Sequence, residues 1–293
     1  MKRFAPAKIN LFLHVGDRRL DGYHDLLSLV VFADCGDTIA VAPRKGPVLE
    51  VTGPSAAGLD PSPSNLVVRA ETVLRQWAAA NGHEAPPVSI RLDKHLPLAS
   101  GIGGGSSDAA ATLHALVEHW SLPIALEDLL VLGRSIGADV PVCLRGLPTL
   151  VAGDGDRLAP APDLPGFALV LVNPRVEVPT AKVFGNLDVR TGTYPHPFPA
   201  QMGSLRDFVA WLDRTSNDLA SPAKQIAPQV MHAEHALTGS TGCLLARMSG
   251  SGATCFGIYP TIEAANTAAR EIASAHPVWW VKPASLWQAT GPR

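Results

Sequence analysis

The chain has 293 residues, enough for one large domain or two ordinary ones, with 46% hydrophobic and 17% charged residues, a globular and rather apolar balance. Formal net charge is −2 and the lysines and arginines are scattered, which excludes a basic field for nucleic acid or an anionic membrane surface. The opening MKRFAPAKINLFLHVG is broken by Lys8, Asn10 and His14 and is followed by no small-residue cleavage site, so it does not read as a signal peptide. No run approaches the ~20 apolar residues of a membrane helix. Cys35, Cys143, Cys243 and Cys255 lack C-x-x-C spacing and read as reduced packing residues, which makes the cytoplasm the expected compartment.

In chain order, 12–15 and 28–32 read as strands with Asp21-Gly22 a turn between them, and 38–42 is a further strand. Residues 43–65 are rich in Pro, Gly and Ser and read as loop. Apolar residues at Leu66, Val67, Ala70, Val73, Leu74 and Trp77 predict a helix over 66–80. Val88, Ile90 and Leu92 alternate with Ser89, Arg91 and Asp93, a half-buried strand. A glycine loop follows, then helices over about 107–120 and 125–136, the second with Gly137 as its C-cap. The stretch GDGDRLAPAPDLPG, 153–166, is the best domain boundary, giving expected domains 1–158 and 159–293. Beyond it come an apolar strand at 167–172, a helix at 224–237, and strands at 244–248 and 254–259 around a Ser-Gly-Ser-Gly turn. A helix at 262–275 and a strand at 278–281 close the pattern. Helices mixed with mostly hairpin-connected strands in both halves predict two α+β domains.

The loop Ser100-Gly101-Ile102-Gly103-Gly104-Gly105-Ser106-Ser107-Asp108 lies between a strand and an alanine-rich helix. Glycines permit positive φ and close approach of a ligand. Ser106, Ser107 and Asp108 are expected to cap the helix, and the loop and helix start together suit a phosphate. A flexible loop with an ordinary cap is the plainer alternative. No Gly-Lys-Ser/Thr follows, so this is not a Walker A loop; Ser106 stands at the third glycine of G-x-G-x-x-G; and neither H-R-D nor D-F-G occurs in the chain.

The segment Pro97 to Ala110, PLASGIGGGSSDAA, resembles the central motif of the GHMP kinases, which act on small molecules such as galactose, homoserine, mevalonate and phosphomevalonate. PAKINL (6–11), DGYH (21–24), SNLV (64–67), GADVPV (137–142), SNDL (216–219) and MSGSGA (248–253) extend the resemblance over nearly the whole chain. They point to one branch, whose acceptor is a cytidine diphospho-alcohol. The resemblance implies a first domain like ribosomal protein S5 domain 2, a ferredoxin-like second domain, and an active site in the cleft between them. It implies ATP and Mg²⁺ as cofactors, without singling out metal ligands.

Carried over residue by residue, the resemblance makes Lys8 and Asp139 the catalytic pair. Asp139 would take the acceptor's hydroxyl proton, and Lys8 would keep Asp139 ionised and stabilise the transferring phosphoryl. Taken alone, Lys8 reads as an edge-strand surface residue and Asp139 as a helix cap or turn residue. ATP would be held by Asn65, Leu66, Lys94, Pro97, Leu98, Ala99, Ser100, Gly101, Ile102, Gly103, Gly104, Gly105, Ser106 and Ser107. The acceptor would be held by Asn10, Tyr23, His24, Thr180 and Phe184, with Tyr23 and Phe184 sandwiching a pyrimidine and His24 bonding its edge. Val30 stands where relatives often place an aromatic ring. Two motifs fail their context: Gly133-Arg134-Ser135-Ile136-Gly137 matches G-x-S-x-G but sits in a helical pattern, and His232-Ala233-Glu234-His235 matches no zinc motif. The alternatives are another GHMP kinase, for homoserine, a sugar or mevalonate, or a nucleotide-binding regulator without catalysis.

Overall fold

The computed structural model describes residues 1–19, 24–44, 46, 48–187 and 203–288. The turn expected at Asp21-Gly22 lies outside the described residues. The chain divides into two compact units: the described parts of Met1–Ala7, Cys35–Leu98 and Gly103–Gly146 form the first, and those of Lys8–Asp34, Ala99–Ile102 and Leu147–Arg293 the second. Strands β1 (Lys2–Arg18) and β2 (His24–Pro43) contribute residues to both. Each is far longer than the short strands expected from composition, because β2 absorbs both 28–32 and 38–42.

In the first unit, β4 (Val88–Asp93) pairs antiparallel with the Thr38–Pro43 part of β2, and β3 (Leu49–Thr52) lies parallel to β4 inside a stretch expected to be loop. Helix α1 (Leu66–Ala80) matches its expected span, and Val67, Ala70, Leu74 and Ala78 form its buried stripe. Asn65 starts it by accepting a hydrogen bond from the Val67 N–H at 3.0 Å. Helix α2 (Gly104–His119) packs against α1, α3 (Leu126–Ile136) and α4 (Val140–Arg145). Its buried Ala109, Ala110, Ala111 and Ala115 are small enough to admit three neighbours. Gly137 does end α3, donating its N–H to Gly133 O at 3.1 Å.

The second unit holds β5 (Thr149–Gly153), antiparallel to the Leu26–Val30 part of β2 and followed by its hairpin partner β6 (Arg157–Pro160). A separate antiparallel sheet runs in the order β10 (Trp280–Ser285), β7 (Ala168–Asn173), β9 (Cys255–Tyr259), β8 (Leu245–Met248). All six residues of β7 are buried, as its continuous apolar run demands of an inner strand. Helices α8 (Gln229–Thr238) and α9 (Ile262–Ala275) cover this sheet, and α9 has the expected bounds. The helix expected over 224–237 is instead two, α7 (Ala220–Ile226) and α8. Pro228 is the reason: it forces Ala227 out of the helical region, to φ −136° and ψ 90°. Short helices α5 (Thr180–Gly185) and α6 (Leu205–Leu212) carry too little periodicity to be expected from sequence.

Leu237 on α8 is fully buried in the second unit's core, whereas Val131 on α3 is 70% exposed. Leu237→Ala should therefore lower unfolding free energy by about 2–5 kcal/mol. Val131→Ala should change it by less than about 0.5 kcal/mol. Urea denaturation of the two variants checks both, and equal losses would contradict this assignment of the core.

Candidate active site

The glycine loop leaves β4 through Lys94, His95 and Leu96, and this turn is built around a buried carboxylate. Asp37 Oδ1 accepts the backbone N–H groups of His95 (2.5 Å) and Leu96 (2.8 Å). Its Oδ2 accepts from Lys94 Nζ at 2.5 Å, and Lys94 Nζ also donates to Asp108 Oδ2 at 2.6 Å. All three side chains are at most 3% exposed. Burial works to lower the Lys94 pKa, but the facing Asp108 and Asp37 carboxylates outweigh it and the net shift is upward. Asp108 is pushed up to about 7, first by burial and then by Asp37, against the pull of Lys94. Its Oδ1 is buried with no hydrogen-bond partner.

Positive φ recurs at Ala99 (46°), Gly101 (74°) and Gly103 (62°). Such left-handed residues in alternation curl backbone N–H groups toward a shared concavity. Helix α2 then starts at Gly104, three residues before the expected start. Its N-cap is Gly103, and no side chain caps it. This corrects the expected capping by Ser106, Ser107 and Asp108, which lie inside the first two turns and past the N-cap position. Ser107 Oγ donates to Pro6 O at 2.7 Å and Asp108 is spent on Lys94. The start of α2 thus keeps backbone donors and a positive dipole end without a side-chain cap. A Cβ on Gly104 would sit 3.1 Å from Lys94 Nζ, so the buried ammonium lies directly under the helix start.

The remaining first-unit residues are as follows. Leu66 opens α1, and its Cδ1 lies 3.5 Å from where a Cβ on Gly105 would stand. The Asn65 amide is committed at both ends, accepting from Val67 N and donating to Asp60 O at 3.0 Å. Pro97 is half-buried, and Leu98 and Gly105 are exposed. Asp139 holds the N-cap position of α4, but its side chain makes no capping bond; its carbonyl accepts from Cys143 N at 3.2 Å.

In the second unit, β1 alternates Ile9, Leu11, Leu13 and Val15 on one face with Lys8, Asn10, Phe12 and His14 on the other. The polar face is buried too: Lys8 and Asn10 are each 4% exposed. Lys8 is therefore no surface residue. Its N–H donates to Ile102 O at 2.9 Å, while Ser249 Oγ donates to Gly101 O and Thr254 N to Ser100 O, both at 3.1 Å. His24 Nδ1 lies 3.1 Å from Gly16 O, which can only accept, so Nδ1 carries the proton and Nε2 is the ring's acceptor when neutral. The His24 ring stacks on Phe184 with centroids 5.7 Å apart at 29°. Thr180 Oγ1 shares a 2.8 Å hydrogen bond with Ser251 Oγ of the Ser-Gly-Ser-Gly turn. Tyr23 lies outside the described residues. Val30 is buried in β2, opposite Thr149 of β5.

Sequence reasoning did not find Asp37, Ser28 or Ser249. Asp37 and Ser28 lie in no chemistry-bearing local pattern, Ser249 was covered only as one letter of MSGSGA, and the partners of all three are distant in sequence. Ser135 lies inside α3 and donates to Leu132 O, not on a strand-to-helix elbow. Glu234 pairs with Lys224, and among the described residues no three His, Cys, Asp or Glu side chains converge as metal ligands.

The family models for the GHMP kinases N-terminal domain and the GHMP kinases C-terminal match residues 65–147 and 208–278. A 4-diphosphocytidyl-2-C-methyl-D-erythritol kinase of Cereibacter sphaeroides is 49% identical over 97% of this chain and 98% of its own. The chain belongs to this kinase family. The kinase of that name from Sinorhizobium medicae is 46% identical, with 95% and 92% covered. A crystal structure of 4-(cytidine 5'-diphospho)-2C-methyl-D-erythritol kinase superposes with TM-score 0.76 at 32% identity, covering 99% of this chain and all of that one. A homoserine kinase from Cytophaga hutchinsonii, at 19% identity and TM-score 0.62, shares the fold. The α+β class with both GHMP domains is thereby established, and the enzyme is a small-molecule kinase.

The Asp108 carboxyl generates a pH-dependent expectation. Unfolded, it loses its proton near 3.8; folded, it keeps it to about 7. Across that window the folded chain holds the extra proton, so this group makes stability fall as pH rises. Asp108→Asn, a neutral isostere, should remove that component. Its unfolding free energy relative to the parent should climb between pH 5 and about pH 8, measured by urea titration. A difference independent of pH would mean that Asp108 is ionised throughout.

Proposed function

We propose that the enzyme transfers the γ-phosphoryl group of ATP to the 2-hydroxyl of 4-diphosphocytidyl-2-C-methyl-D-erythritol, a step of non-mevalonate isoprenoid precursor synthesis in the cytoplasm. The observation that carries this reading is the 49% identity over nearly the full chain to a kinase of that name. The free state of all four cysteines agrees with a reducing compartment.

In this reading the ATP phosphates lie against the loop from Pro97 to Ser107. The uncapped N–H groups of α2 favour negative charge there, and the Lys94 ammonium beneath them is balanced by Asp37 and Asp108. Asn65 and Leu66, at the start of α1, border the adenine. The Asn65 amide is already spent on its own cap, which leaves its backbone and the apolar edge of Leu66 for contact. Mg²⁺ would be held largely by the nucleotide's own phosphate oxygens and water, as this ion usually is. When bound, it screens those phosphates.

Asp139 takes the proton of the acceptor hydroxyl. The freed oxygen forms a bond to Pγ as the bond from Pγ to the bridging oxygen breaks, and ADP leaves with that electron pair. Asp139 stands at the N-cap position of α4, whose backbone fixes where its carboxylate starts from. Lys8, a buried ammonium on the polar face of β1, stabilises the charge spread over the transferring group. Thr180, His24 and Phe184 hold the cytidine end together with Tyr23, the stacked pair of His24 and Phe184 supplying a flat wall. Stacking of a base on such rings contributes ~1–3 kcal/mol.

An ATP-consumption assay over a panel of acceptor alcohols tests the reading. Turnover of the cytidine diphospho-alcohol with none for homoserine, mevalonate or galactose is expected, and the reverse preference would refute it. General-base assistance is worth ~10²–10⁴-fold, so Asp139→Asn should lower kcat by about that factor while both substrates still bind. Lys8→Met should also lower kcat, by removing a charge that stabilises the transferring phosphoryl. Near-normal turnover by Asp139→Asn would send the proton elsewhere.

A further inference from the structure

Asn10 lies two residues from Lys8 on the same polar face of β1, about 7 Å along the strand. It is 4% exposed, and its neighbours Ser28 (2%) and Ser249 (0%) are buried as well. The hydrogen bonds among them have a determinate direction. Ser28 Oγ donates to Phe12 O at 2.6 Å, and that carbonyl can only accept. A hydroxyl has one proton, so toward Asn10, 2.7 Å away, Ser28 can only accept. The Asn10 amide must then present its NH₂ to Ser28 and turn its oxygen the other way. The same reasoning holds for the backbone: Ser249 Oγ spends its proton on Gly101 O and accepts the Asn10 N–H at 3.1 Å.

The amide oxygen so oriented, Asn10 Oδ1, is buried and has no hydrogen-bond partner. A buried acceptor left unmet costs free energy unless a ligand or water completes it. An amide turned round would place two oxygens against each other at Ser28, so the orientation is held before any ligand arrives. We propose that Ser28 is a positioning residue: it turns the Asn10 amide so that Oδ1 accepts a hydrogen bond from a hydroxyl of the polyol acceptor. The proposal rests on the acceptor reading given above and adds to it the residue that sets the polarity of the site. It also assigns the acceptor a donor at this point: an ether or ketone there would meet the amide oxygen with a second acceptor.

Ser28→Ala removes the constraint without adding bulk, and Ser28→Thr retains the hydroxyl. In Ser28→Ala the KM for the acceptor alcohol should rise about tenfold, the worth of one buried hydrogen bond, with kcat less affected and the KM for ATP within about twofold. Ser28→Thr should restore the acceptor KM. A purely structural role would lower stability and disturb both substrates alike. In the absence of substrate, the side-chain NH₂ resonances of Asn10 should show slow hydrogen exchange in the parent and lose it in Ser28→Ala. An unchanged acceptor KM, or Asn10 resonances that Ser28→Ala leaves unmoved, overturns the proposal. Should the parent phosphorylate homoserine and not the cytidine diphospho-alcohol, the acceptor reading fails on its own. The Asn10 resonances and the KM split, then measured on homoserine, still decide the role of Ser28.

Discussion

An ammonium taken out of water loses several kcal/mol of hydration unless carboxylates replace it, and removing one partner of such a buried group costs ~3–5 kcal/mol. Lys94 is placed under that constraint by its burial, and it is met by Asp37 from β2 and Asp108 from the second turn of α2. The other oxygen of Asp37 fixes the two N–H groups through which the chain leaves β4. One ammonium therefore sets both where the glycine loop begins and where its helix starts. The three groups carry one cation and two acids, so a proton on Asp108 completes neutrality beneath a surface that otherwise favours anions.

The second unit handles burial of polar groups by a different device. β1 puts apolar residues on one face and Lys8, Asn10 and His14 on the other, yet both faces are enclosed. Neutral serines and a backbone carbonyl fix Asn10, with directions set by the single proton each serine owns, while the Asp218 carboxylate faces His14 at 3.4 Å. Asn217 completes the arrangement by donating its amide to Met248 O and Gly250 O, both at 2.8 Å, splinting the turn between β8 and β9. Polar groups held this firmly have their geometry settled in the absence of ligand, which is the condition for placing a reactant without a further entropic loss.

Periodicity carried the elements whose burial is one-sided. α1, β4 and α9 were legible because a single stripe or alternation describes each of them, and β7 because it is apolar throughout. The glycine loop was legible as a turn into a helix start, whereas Lys8 and Asn10 stood out only through the resemblance, since alone Lys8 read as a surface residue. What local pattern does not contain is long-range partnership. Lys94 and Asp37 are 57 positions apart, so the true role of Asp108 could not be read, and proximity to the helix start suggested a cap instead. β3, β5 and β6 are too short to show a period, and the glycines and prolines around them read as loop. Pro228 was visible as a letter, but apolar spacing on both sides of it suggested one helix.

Gly101 of the loop and Gly250 of the β8–β9 turn face each other backbone to backbone. A Cβ on Gly101 would lie 2.5 Å from Ser249 O, and one on Gly250 would lie 2.5 Å from Gly101 O. Both have positive φ, which already disfavours side chains. Neither position can change first to make room for the other, so no order of single substitutions leads away from the pair. In a laboratory evolution of acceptor preference these two codons are fixed points. Libraries that randomise the loop wholesale will be spent mostly on chains that cannot close it.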